Sequence, residues 1–219
     1  MKGRILFATS NEGKMREVRM ILSDLGMEIL SMKEAGISAE IVEDGTTFEE
    51  NASIKASAIE KLCRESAFGN EAASKDGTAS VRTIVLADDS GLEVDFLGGA
   101  PGIYSARYMG EETSYEVKNQ AIIDKLSGVE GKGRSARFVC AIAAALPGGE
   151  MLTARGTIEG QIGYEAAGDG GFGYDPIFYL PERGLTTAQL SAEEKNEISH
   201  RGKALQAMKE MLRKKLGDK

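Results

Sequence analysis

A short apolar run that ends in two acids constrains the fold of this chain more than any other stretch. Residues Ile84–Ala87 are aliphatic and partly β-branched, and Asp88–Gly91 adds two carboxylates, a hydroxyl and a glycine. Such runs are typical of buried parallel strands, which occur in α/β sheets covered by helices on both faces. These sheets bind ligands just beyond the carboxyl ends of their strands. The run therefore predicts a site at Asp88 and Asp89.

The two acids of this stretch are expected to have different tasks. Successive side chains of a strand point to opposite faces, so one carboxylate could bind a metal while the other braces the turn. Asp, Ser and Gly also favour turns, so Asp88–Gly91 taken alone is equally compatible with an ordinary turn. The rest of the chain decides between these two interpretations.

Composition restricts the class of protein. The chain has 219 residues, enough to bury a sizeable core as one large domain or as two lobes, and no stretch resembles a linker. Its 28% charged and 42% hydrophobic residues are close to globular averages. The formal net charge of -7 argues against general binding of nucleic acids or anionic membranes. Any polyanion must therefore be bound by a local cluster of cations.

Cysteine content and hydropathy indicate a cytoplasmic location. Cys63 and Cys140 are too few and too far apart for a disulfide framework or a zinc site. No basic, apolar leader precedes the first predicted strand, and no apolar run reaches the length of a membrane span. We therefore expect a reduced, cytoplasmic protein that does not bind membranes.

The N-terminal part of the chain predicts a strand, a polar turn and a helix. The run Arg4–Ala8 precedes the turn Thr9–Lys14, and a helical stripe of apolar residues follows, with Asn11 as its N-cap. A lysine and free amide groups at a helix N-terminus form a ready anion site. The turn is not a Walker A loop, because Ala8 and Met15 replace the glycine and the hydroxyl residue of that motif. By itself, a lysine after such a turn is more often solvated.

A second predicted helix carries a lysine on its buried face. Thr47 and Glu50 have the spacing of a capping box, and Lys55 lies in the middle of the apolar stripe that follows. A lysine there must either extend to solvent or reach a buried anion. Because Asn51 lies beside it, we favour the anion.

The C-terminal half predicts antiparallel strands and a glycine-rich loop. Residues 136–146 and 151–162 indicate a hairpin rather than another strand–helix–strand unit. The loop Gly168–Pro176 carries Phe172 and Tyr174. A permissive backbone beside aromatic rings suits the close approach of a flat ligand, whereas in a plain turn the rings would pack into the core. Both interpretations stay open at this stage.

Polar residues near the C-terminus form a further candidate site. Ser191 and Glu194 have the spacing of a capping box, which places Lys195 in the first turn of a helix. His200 is the single histidine of the chain, and Arg201 follows it at the start of the last helix. A lone histidine is usually structural, but beside these cations it is a credible contact for an anion or a base edge.

Six motifs, in this order, resemble the Ham1/inosine triphosphatase family of nucleoside-triphosphate pyrophosphohydrolases, whose bacterial members are called XTP/dITP diphosphatases. The motifs are Ala8–Lys14, Thr47–Ala52 with Lys55, Ala87–Leu92, Gly98–Arg107, Gly171–Pro176 and Ser199–Arg201. Each motif is weak alone, but together they span almost the full length of the chain.

The resemblance implies a fold, an activity and a cofactor. The expected fold is α/β, with a mixed central β-sheet flanked by helices and two lobes around a deep substrate cleft, formed by residues 1–219 as a single domain and usually assembled as a homodimer. The expected activity is hydrolysis of ITP, dITP and XTP to the monophosphate and pyrophosphate, which removes deaminated purines from the nucleotide pool. The implied cofactor is Mg²⁺, with one or more ions per subunit.

The resemblance also assigns roles to individual residues. Triphosphate contacts fall on Thr9, Ser10, Asn11, Glu12, Gly13, Lys14 and Lys55. Asp89 is the expected proton acceptor and a metal ligand together with Glu43, and Ser90 touches the substrate. The base is expected to lie against Phe172, Gly173, Tyr174 and Asp175. Lys195, His200 and Arg201 complete the contacts with the base and the phosphates.

One stretch departs from the family pattern. Residues 64–82 form a longer connection than the family usually has, which predicts a surface insertion.

Two rival functions remain. The nearer rival is a Maf-type pyrophosphatase that acts on pyrimidine nucleotides, and the segment Ser199–Arg201 argues against it. The more distant rival is a non-catalytic module that binds nucleotides. Paired acids argue against such a module, because they repel a polyphosphate unless metal is present.

Overall fold

The computed structural model describes residues 3–9, 11–65 and 83–217. Ser10 and most of the predicted insertion at 64–82 lie outside these ranges. Within them, no helix has both the length and the apolar composition that crossing a membrane requires.

The described residues form a seven-stranded sheet with the strand order β2-β1-β3-β4-β5-β6-β7. Its strands are β1 Arg4–Phe7, β2 Glu28–Ser31, β3 Thr83–Val94, β4 Ser135–Ala145, β5 Met151–Ile162, β6 Phe178–Leu180 and β7 Leu185–Thr186. β1 pairs in parallel with β2 and β3, whereas β6 pairs antiparallel with β5 and β7. The predicted α/β class with a mixed sheet is therefore confirmed.

β4 and β5 are neighbours in the sheet and are joined by a short turn, as the hairpin pattern predicts. In the turn, the Leu146 N–H donates to the carbonyl oxygen of Glu150 at 2.8 Å. β4 is buried along almost its whole length, whereas buried and exposed residues alternate along much of β5. Alternation of this kind means that one face of β5 packs on the core and the other faces solvent.

The largest departure from the prediction concerns β3. The sequence predicts that the strand ends before Asp88, but the structure has one continuous strand, Thr83–Val94. β1 ends at Phe7, which is paired with Leu86, so the part of β3 after Leu86 extends past the end of β1. Asp88 and Asp89 therefore lie inside a strand, yet beyond the carboxyl end of its parallel neighbour. The polar residues interrupt the apolar pattern but not the strand.

The described residues contain five α-helices. They are α1 Glu12–Leu22, α2 Phe48–Glu65, α3 Tyr115–Lys125, α4 Ala192–Ile198 and α5 His200–Leu216. Ser191 and Glu194 form the predicted capping box of α4. The predicted box of α2 is half formed: Thr47 Oγ1 accepts from the Glu50 N–H at 3.1 Å, but the Glu50 carboxylate accepts from Thr46.

The chain divides into two compact units, and the boundaries fall within β3, β4, β5 and α5. The first unit comprises the described parts of Met1–Asp89, Ala141–Arg155 and Ala204–Lys219, and the second comprises Ser90–Cys140 and Gly156–Lys203.

The core of the first unit is built from β1, α1 and α5, with further side chains from α2 and β3. Its buried residues include Ile5, Leu6, Phe7, Val18, Leu22, Ala52, Ile59, Leu86, Leu205, Met208 and Leu212. Burial of each large aliphatic side chain contributes about 1.5–3 kcal/mol to folding. Lys209 of α5 donates to the carbonyl oxygen of Ile21 at 3.0 Å and pairs with Asp24 at 2.8 Å, which fastens α5 to the end of α1.

The second unit has its own apolar cluster, to which β3, β4, β5 and α3 contribute. Its buried members include Leu92, Val94, Ile122, Leu126, Phe138, Ile162, Ile177 and Phe178. Arg134 is 3% exposed and donates to the carbonyl oxygens of Leu126, Val129, Ile162 and Gly163. These bonds satisfy a guanidinium that would otherwise be costly to bury.

Candidate active site

The turn after β1 brings Lys14 to Asp88. The Ala8 N–H donates to the carbonyl oxygen of Leu86 at 2.7 Å, which extends the β1–β3 pairing into the turn. Asn11 Oδ1 accepts from the Lys14 N–H at 3.1 Å and caps α1 as predicted. Lys14 Nζ then lies 3.0 and 2.9 Å from the two carboxylate oxygens of Asp88. The lysine expected to contact phosphates is thus positioned by an acid of β3.

The family resemblance assigns no role to Asp88, although this residue contacts both Lys14 and Lys55. Its side chain is 1% exposed, and a buried carboxylate is stable only when it is paired. Lys14 pairs with the carboxylate, and Lys55 Nζ donates to the Asp88 backbone oxygen at 3.0 Å. The structure agrees with the idea that one of the two acids braces the turn. The signal was the strand alternation, which separates the two carboxylates.

Lys55 reaches an anion rather than solvent, which is the alternative that the sequence favours because Asn51 lies beside it. Its Nζ lies 3.0 Å from Glu43 Oε1, and its side chain is 16% exposed. Glu43 belongs to a stretch without helix or strand between β2 and α2. Lys55 therefore links that stretch to β3 through its bonds with Glu43 and the Asp88 carbonyl.

Asp89 is a partly buried acid with a raised pKa. Asn51 Nδ2 donates to Asp89 Oδ2 at 3.0 Å. The pKa of Asp89 is raised from 3.8 to about 6, chiefly because the carboxyl is buried. The hydrogen bond from Asn51 and the charge of Lys55 lower it, and the charges of Glu43 and Asp88 raise it. Asp89 is therefore mostly ionised near neutral pH, but it holds a proton more readily than an ordinary carboxylate.

Glu43 and Asp89 are the described residues that best suit a divalent cation. Burial is the main cause of the raised pKa of Asp89, and the charge of Glu43 also raises it, a repulsion that a cation would relieve. The described part of the chain has no cluster of three or more His, Cys, Asp or Glu side chains with metal-binding geometry. Mg²⁺ is often held by only one or two carboxylates, with waters and substrate phosphates as further ligands. The donor set present therefore fits Mg²⁺ bound together with a phosphate ligand.

The other residues of the predicted phosphate turn lie at the start of α1. Thr9 is buried, and its Oγ1 accepts from the Asn11 N–H at 3.2 Å. Asn11, Glu12 and Gly13 are exposed, and Ser10 is outside the described residues. The exposed first turn of α1 thus lies beside Lys14, and a helix N-terminus next to a cation is suited to binding an anion.

In the second unit, Asp175 organises the glycine-rich loop. It is 3% exposed. Its carboxylate accepts from the Phe172 N–H at 2.8 Å, from Lys195 Nζ at 2.6 Å and from Thr187 Oγ1 at 2.8 Å. Gly171 has φ +72°, and a Cβ there would overlap the Asp175 carboxylate, so glycine is required at this point. The structure thereby brings three predicted site residues together.

Phe172 presents an exposed ring next to two cations. Its side chain is 42% exposed. Lys195 Nζ lies 5.1 Å and Arg201 Cζ 5.5 Å from the ring centroid. Arg201 Nη2 also donates to Ser90 Oγ at 3.4 Å. An open aromatic face flanked by cations suits a flat ligand with electronegative edge atoms.

Tyr174 is packed inward, unlike Phe172. It is 4% exposed, and its hydroxyl donates to the Ser105 carbonyl oxygen at 2.7 Å. Its ring meets that of Tyr115 edge-on, with 5.3 Å between centroids. Tyr174 therefore packs into the core, as expected for a plain turn, whereas Phe172 presents an open ring, as expected for a ligand site. Ser105 belongs to the Gly98–Arg107 motif, which had no assigned role and supports this loop.

His200 and Gly173 complete the predicted residues of this unit. The His200 ring stacks on Phe138, with centroids 4.9 Å apart, and the residue is 7% exposed. Gly173 has φ +70°, and its carbonyl oxygen accepts from Asn119 Nδ2 at 3.1 Å. Both residues are therefore fixed by contacts within the second unit.

Comparison with known proteins gives matches along nearly the whole chain. The model of the Ham1 family matches residues 5–211. A dITP/XTP pyrophosphatase of Bacillus licheniformis is 45% identical over 208 residues, which cover 95% of this chain and 97% of that protein. A dITP/XTP pyrophosphatase of an Exiguobacterium species is 48% identical over 205 residues and 94% of each chain.

Solved structures agree with these relatives. The Ham1 protein of Staphylococcus aureus is 38% identical, has a TM-score of 0.80, and aligns over 97% of this chain and 99% of its own. A HAM1 protein of Coxiella burnetii is 36% identical with a TM-score of 0.77, again over 97% and 99% of the two chains. The resemblance inferred from six short motifs is thereby confirmed, and the chain belongs to the Ham1 family.

Proposed function

We propose that this chain hydrolyses the non-canonical purine nucleoside triphosphates ITP, dITP and XTP to the monophosphate and pyrophosphate. The names of its relatives support this activity and substrate class. The observation that carries the proposal is a cluster just beyond the end of β1. In it Lys14 bonds to the Asp88 carboxylate and Lys55 bonds to the Asp88 backbone oxygen, with Asp89 as the next residue. Such a cluster provides both cations for phosphates and a base for water.

The first unit supplies the proposed triphosphate contacts. A triphosphate carries several negative charges into an acidic protein, so local cations must neutralise it. Lys14 and Lys55 are preordered for this by their bonds to Asp88. The contacts expected at Thr9, Ser10, Asn11, Glu12 and Gly13 would add hydrogen bonds to the phosphates, with Glu12 taking part through its backbone N–H. Both lysines would exchange part of their present pairing for phosphate oxygens.

We infer that Glu43 and Asp89 hold Mg²⁺, with one or more ions per subunit. When bound, the ion supplies charge neutralisation at the phosphates and makes a bound water more acidic. Lys55 contacts Glu43 in the structure, so this lysine would lie close to the phosphates of a nucleotide whose metal ion Glu43 would hold.

Asp89 is the proposed general base. A water oxygen attacks the α-phosphorus while Asp89 takes a proton from that water. The bond between the α-phosphorus and the oxygen that bridges to the β-phosphorus breaks, so that pyrophosphate leaves with the bond electrons. A carboxylate with a pKa of about 6 suits this task, because it is ionised near neutral pH and is more basic than an ordinary aspartate.

The glycine-rich loop and the start of α5 carry the proposed base contacts. The open ring of Phe172 would stack on the purine, with Lys195 and Arg201 along its edge. The set is completed by Ser90, Gly173, Tyr174, Asp175 and His200. Of these, Tyr174 and Asp175 hold the loop in place and do not face the base. Hypoxanthine and xanthine carry a keto oxygen where adenine carries an amino group. Arg201 or a loop N–H can donate to that oxygen, and adenine would leave the donor unpaired.

We further propose that residues 1–219 act as one catalytic domain and that the active form is a homodimer. Sedimentation equilibrium tests the assembly, with a mass of twice 23.4 kDa expected. A monomer at assay concentration that retains full activity would contradict the dimer proposal.

Pyrophosphate release from a panel of nucleotides tests the proposed function. The panel is ITP, XTP, dITP, ATP, GTP, UTP and dTTP, each with Mg²⁺ and with or without a chelator. We expect chelator-sensitive release confined to ITP, XTP and dITP. Release from UTP or dTTP would favour a Maf-type enzyme. Tight binding of ITP without release would favour the non-catalytic module.

A further inference from the structure

Asn51 links the two segments that carry the proposed metal ligands. Its side chain is on α2 and is almost fully buried, with 1% exposure. Asn51 Nδ2 donates to Asp89 Oδ2 at 3.0 Å, and Asn51 Oδ1 accepts from the Gly45 N–H at 2.9 Å. Gly45 follows Glu43 closely in the chain. One amide therefore contacts β3 and the Glu43 segment at the same time.

The chemistry of the two partners fixes the orientation of this amide. A carboxylate only accepts hydrogen bonds when ionised, and a backbone N–H only donates, so the NH₂ group must face Asp89 and the oxygen must face Gly45. Aspartate has nearly the same shape, but it could not donate to Asp89. No other residue type of this size offers both a donor and an acceptor on one planar group.

The Glu43 segment depends on side-chain contacts for its position. Residues 37–47 contain no helix or strand, so no backbone ladder holds them. Lys55 bonds to Glu43 at 3.0 Å, and Asn51, one turn earlier on the same face of α2, bonds to Gly45. The two α2 side chains together fasten this irregular segment against β3.

Gly45 shows how closely the segment approaches Asn51. A Cβ at this position would lie 2.7 Å from Asn51 Oδ1 and 2.8 Å from the Glu50 Cβ. Contacts that short do not occur, so a side chain at this position would push the Asn51 amide or the segment away. The hydrogen bond therefore requires glycine here.

We propose that Asn51 is a positioning residue of the reaction, which orients the Asp89 carboxylate and holds the Glu43 segment so that both acids can bind one divalent ion. This inference rests on the proposed function. Hydrogen-bond partners of metal ligands typically account for about 10–100-fold in metal affinity or activity. We expect effects of that size on loss of the Asn51 amide.

The test compares the full chain with Asn51→Ala, with Gly45→Ala and with a control, Ser53→Ala. Ser53 is on the same helix as Asn51, and its hydroxyl donates to the carbonyl oxygen of Glu49. For each protein we would measure kcat and KM for ITP, the Kd of Mn²⁺ by calorimetry without nucleotide, and thermal unfolding. Mn²⁺ prefers the same oxygen ligands as Mg²⁺.

We expect Asn51→Ala and Gly45→Ala to lower kcat and raise the Kd of Mn²⁺, each by about 10–100-fold, with KM changed by less than about threefold. Ser53→Ala should match the unchanged protein. Unchanged kcat and Mn²⁺ affinity in both variants would overturn the proposal. It would also be overturned if the loss of activity equalled the unfolded fraction of the protein while the Mn²⁺ affinity stayed normal. If the unchanged chain releases no pyrophosphate, the proposed function fails, whereas the Mn²⁺ titrations still test Asn51.

Discussion

Two adjacent acids on β3 differ in their environment, and that difference determines their chemistry. Asp88 is paired with Lys14 through both carboxylate oxygens, so its charge is already neutralised. Asp89 accepts from a neutral amide, lies near other acids, and has a pKa raised to about 6. A residue that must take up and release a proton needs the second environment, not the first.

The first prediction concerns Asp89→Asn. The amide cannot accept a proton from water, so kcat for ITP should fall by about 10²–10⁴-fold or more. Binding of ITP, measured by calorimetry with Mg²⁺, should stay within about tenfold, because Lys14 and Lys55 remain. Asp95→Asn is the control, since Asp95 is exposed and pairs with Arg137. A variant of Asp89 with unchanged kcat would refute its role as the base.

The second prediction concerns the choice of base. A donor aimed at a keto oxygen loses its partner when adenine is bound, so kcat/KM should favour ITP over ATP by about 100-fold or more. Arg201→Ala should lower the ratio of kcat/KM for ITP to kcat/KM for ATP. It should change the affinity for inorganic pyrophosphate by a smaller factor. Equal kcat/KM for ITP and ATP in the unchanged protein would contradict the proposed recognition.

Local signals in the sequence explain why some elements were predicted and others were not. β1, the Asn11 cap and the β4–β5 turn are encoded by residues close in the chain, and the structure has each of them. The predicted strand ends before Asp88, because polar residues in the middle of β3 break the apolar pattern that predicts a strand. The ladder with β1 stops at Leu86, and β3 continues beyond it as a neighbour of β4, a strand that is distant in the chain.

The same distinction applies to the candidate site. Motifs named the acids and lysines, but the bonds Asn51–Asp89 and Lys55–Glu43 join segments that are far apart or irregular, and no periodicity reports them. Tyr174 illustrates a different limit. Both aromatic residues of the glycine-rich loop look alike in sequence, and only the hydroxyl bond to Ser105 reveals which one turns inward.

The third prediction belongs to the glycine-rich loop as an element. Gly171 and Gly148 both have positive φ, +72° and +105°, so alanine at either should destabilise the protein by about 1 kcal/mol through backbone strain. Only at Gly171 would the added Cβ overlap a side chain, that of Asp175. We therefore expect Gly171→Ala to raise KM for ITP several-fold and Gly148→Ala to leave KM unchanged. Equal KM values for the two variants would contradict the proposed role of the loop in binding the base.

At the scale of the whole molecule, one acid contributes to stability in a defined pH range. Glu34, next to β2, accepts from the Ser31 N–H and hydroxyl and from Arg19 of α1. The bonds from Ser31, followed by that from Arg19, lower the pKa of Glu34 from 4.5 to about 2. The ionised form is therefore favoured by folding, and its contribution is complete above the unfolded pKa.

The fourth prediction follows from that shift. As the pH falls from about 4.5 to about 2, Glu34 becomes protonated and its contribution disappears. Because the side chain is 45% exposed, we expect only about 1 kcal/mol. Urea unfolding should show Glu34→Gln destabilised near neutral pH and equal to the unchanged protein near pH 2. If the free energy of unfolding of Glu34→Gln differed from that of the unchanged protein by the same amount at every pH, the contribution assigned to ionised Glu34 would be contradicted.

The most direct test of the central claim is hydrolysis of ITP in water labelled with heavy oxygen, with the products analysed by mass spectrometry. Attack of water at the α-phosphorus predicts labelled IMP and unlabelled pyrophosphate, at a rate abolished by Asp89→Asn. Formation of IDP and phosphate, or label in pyrophosphate, would show that water attacks another phosphorus and would contradict the proposed reaction.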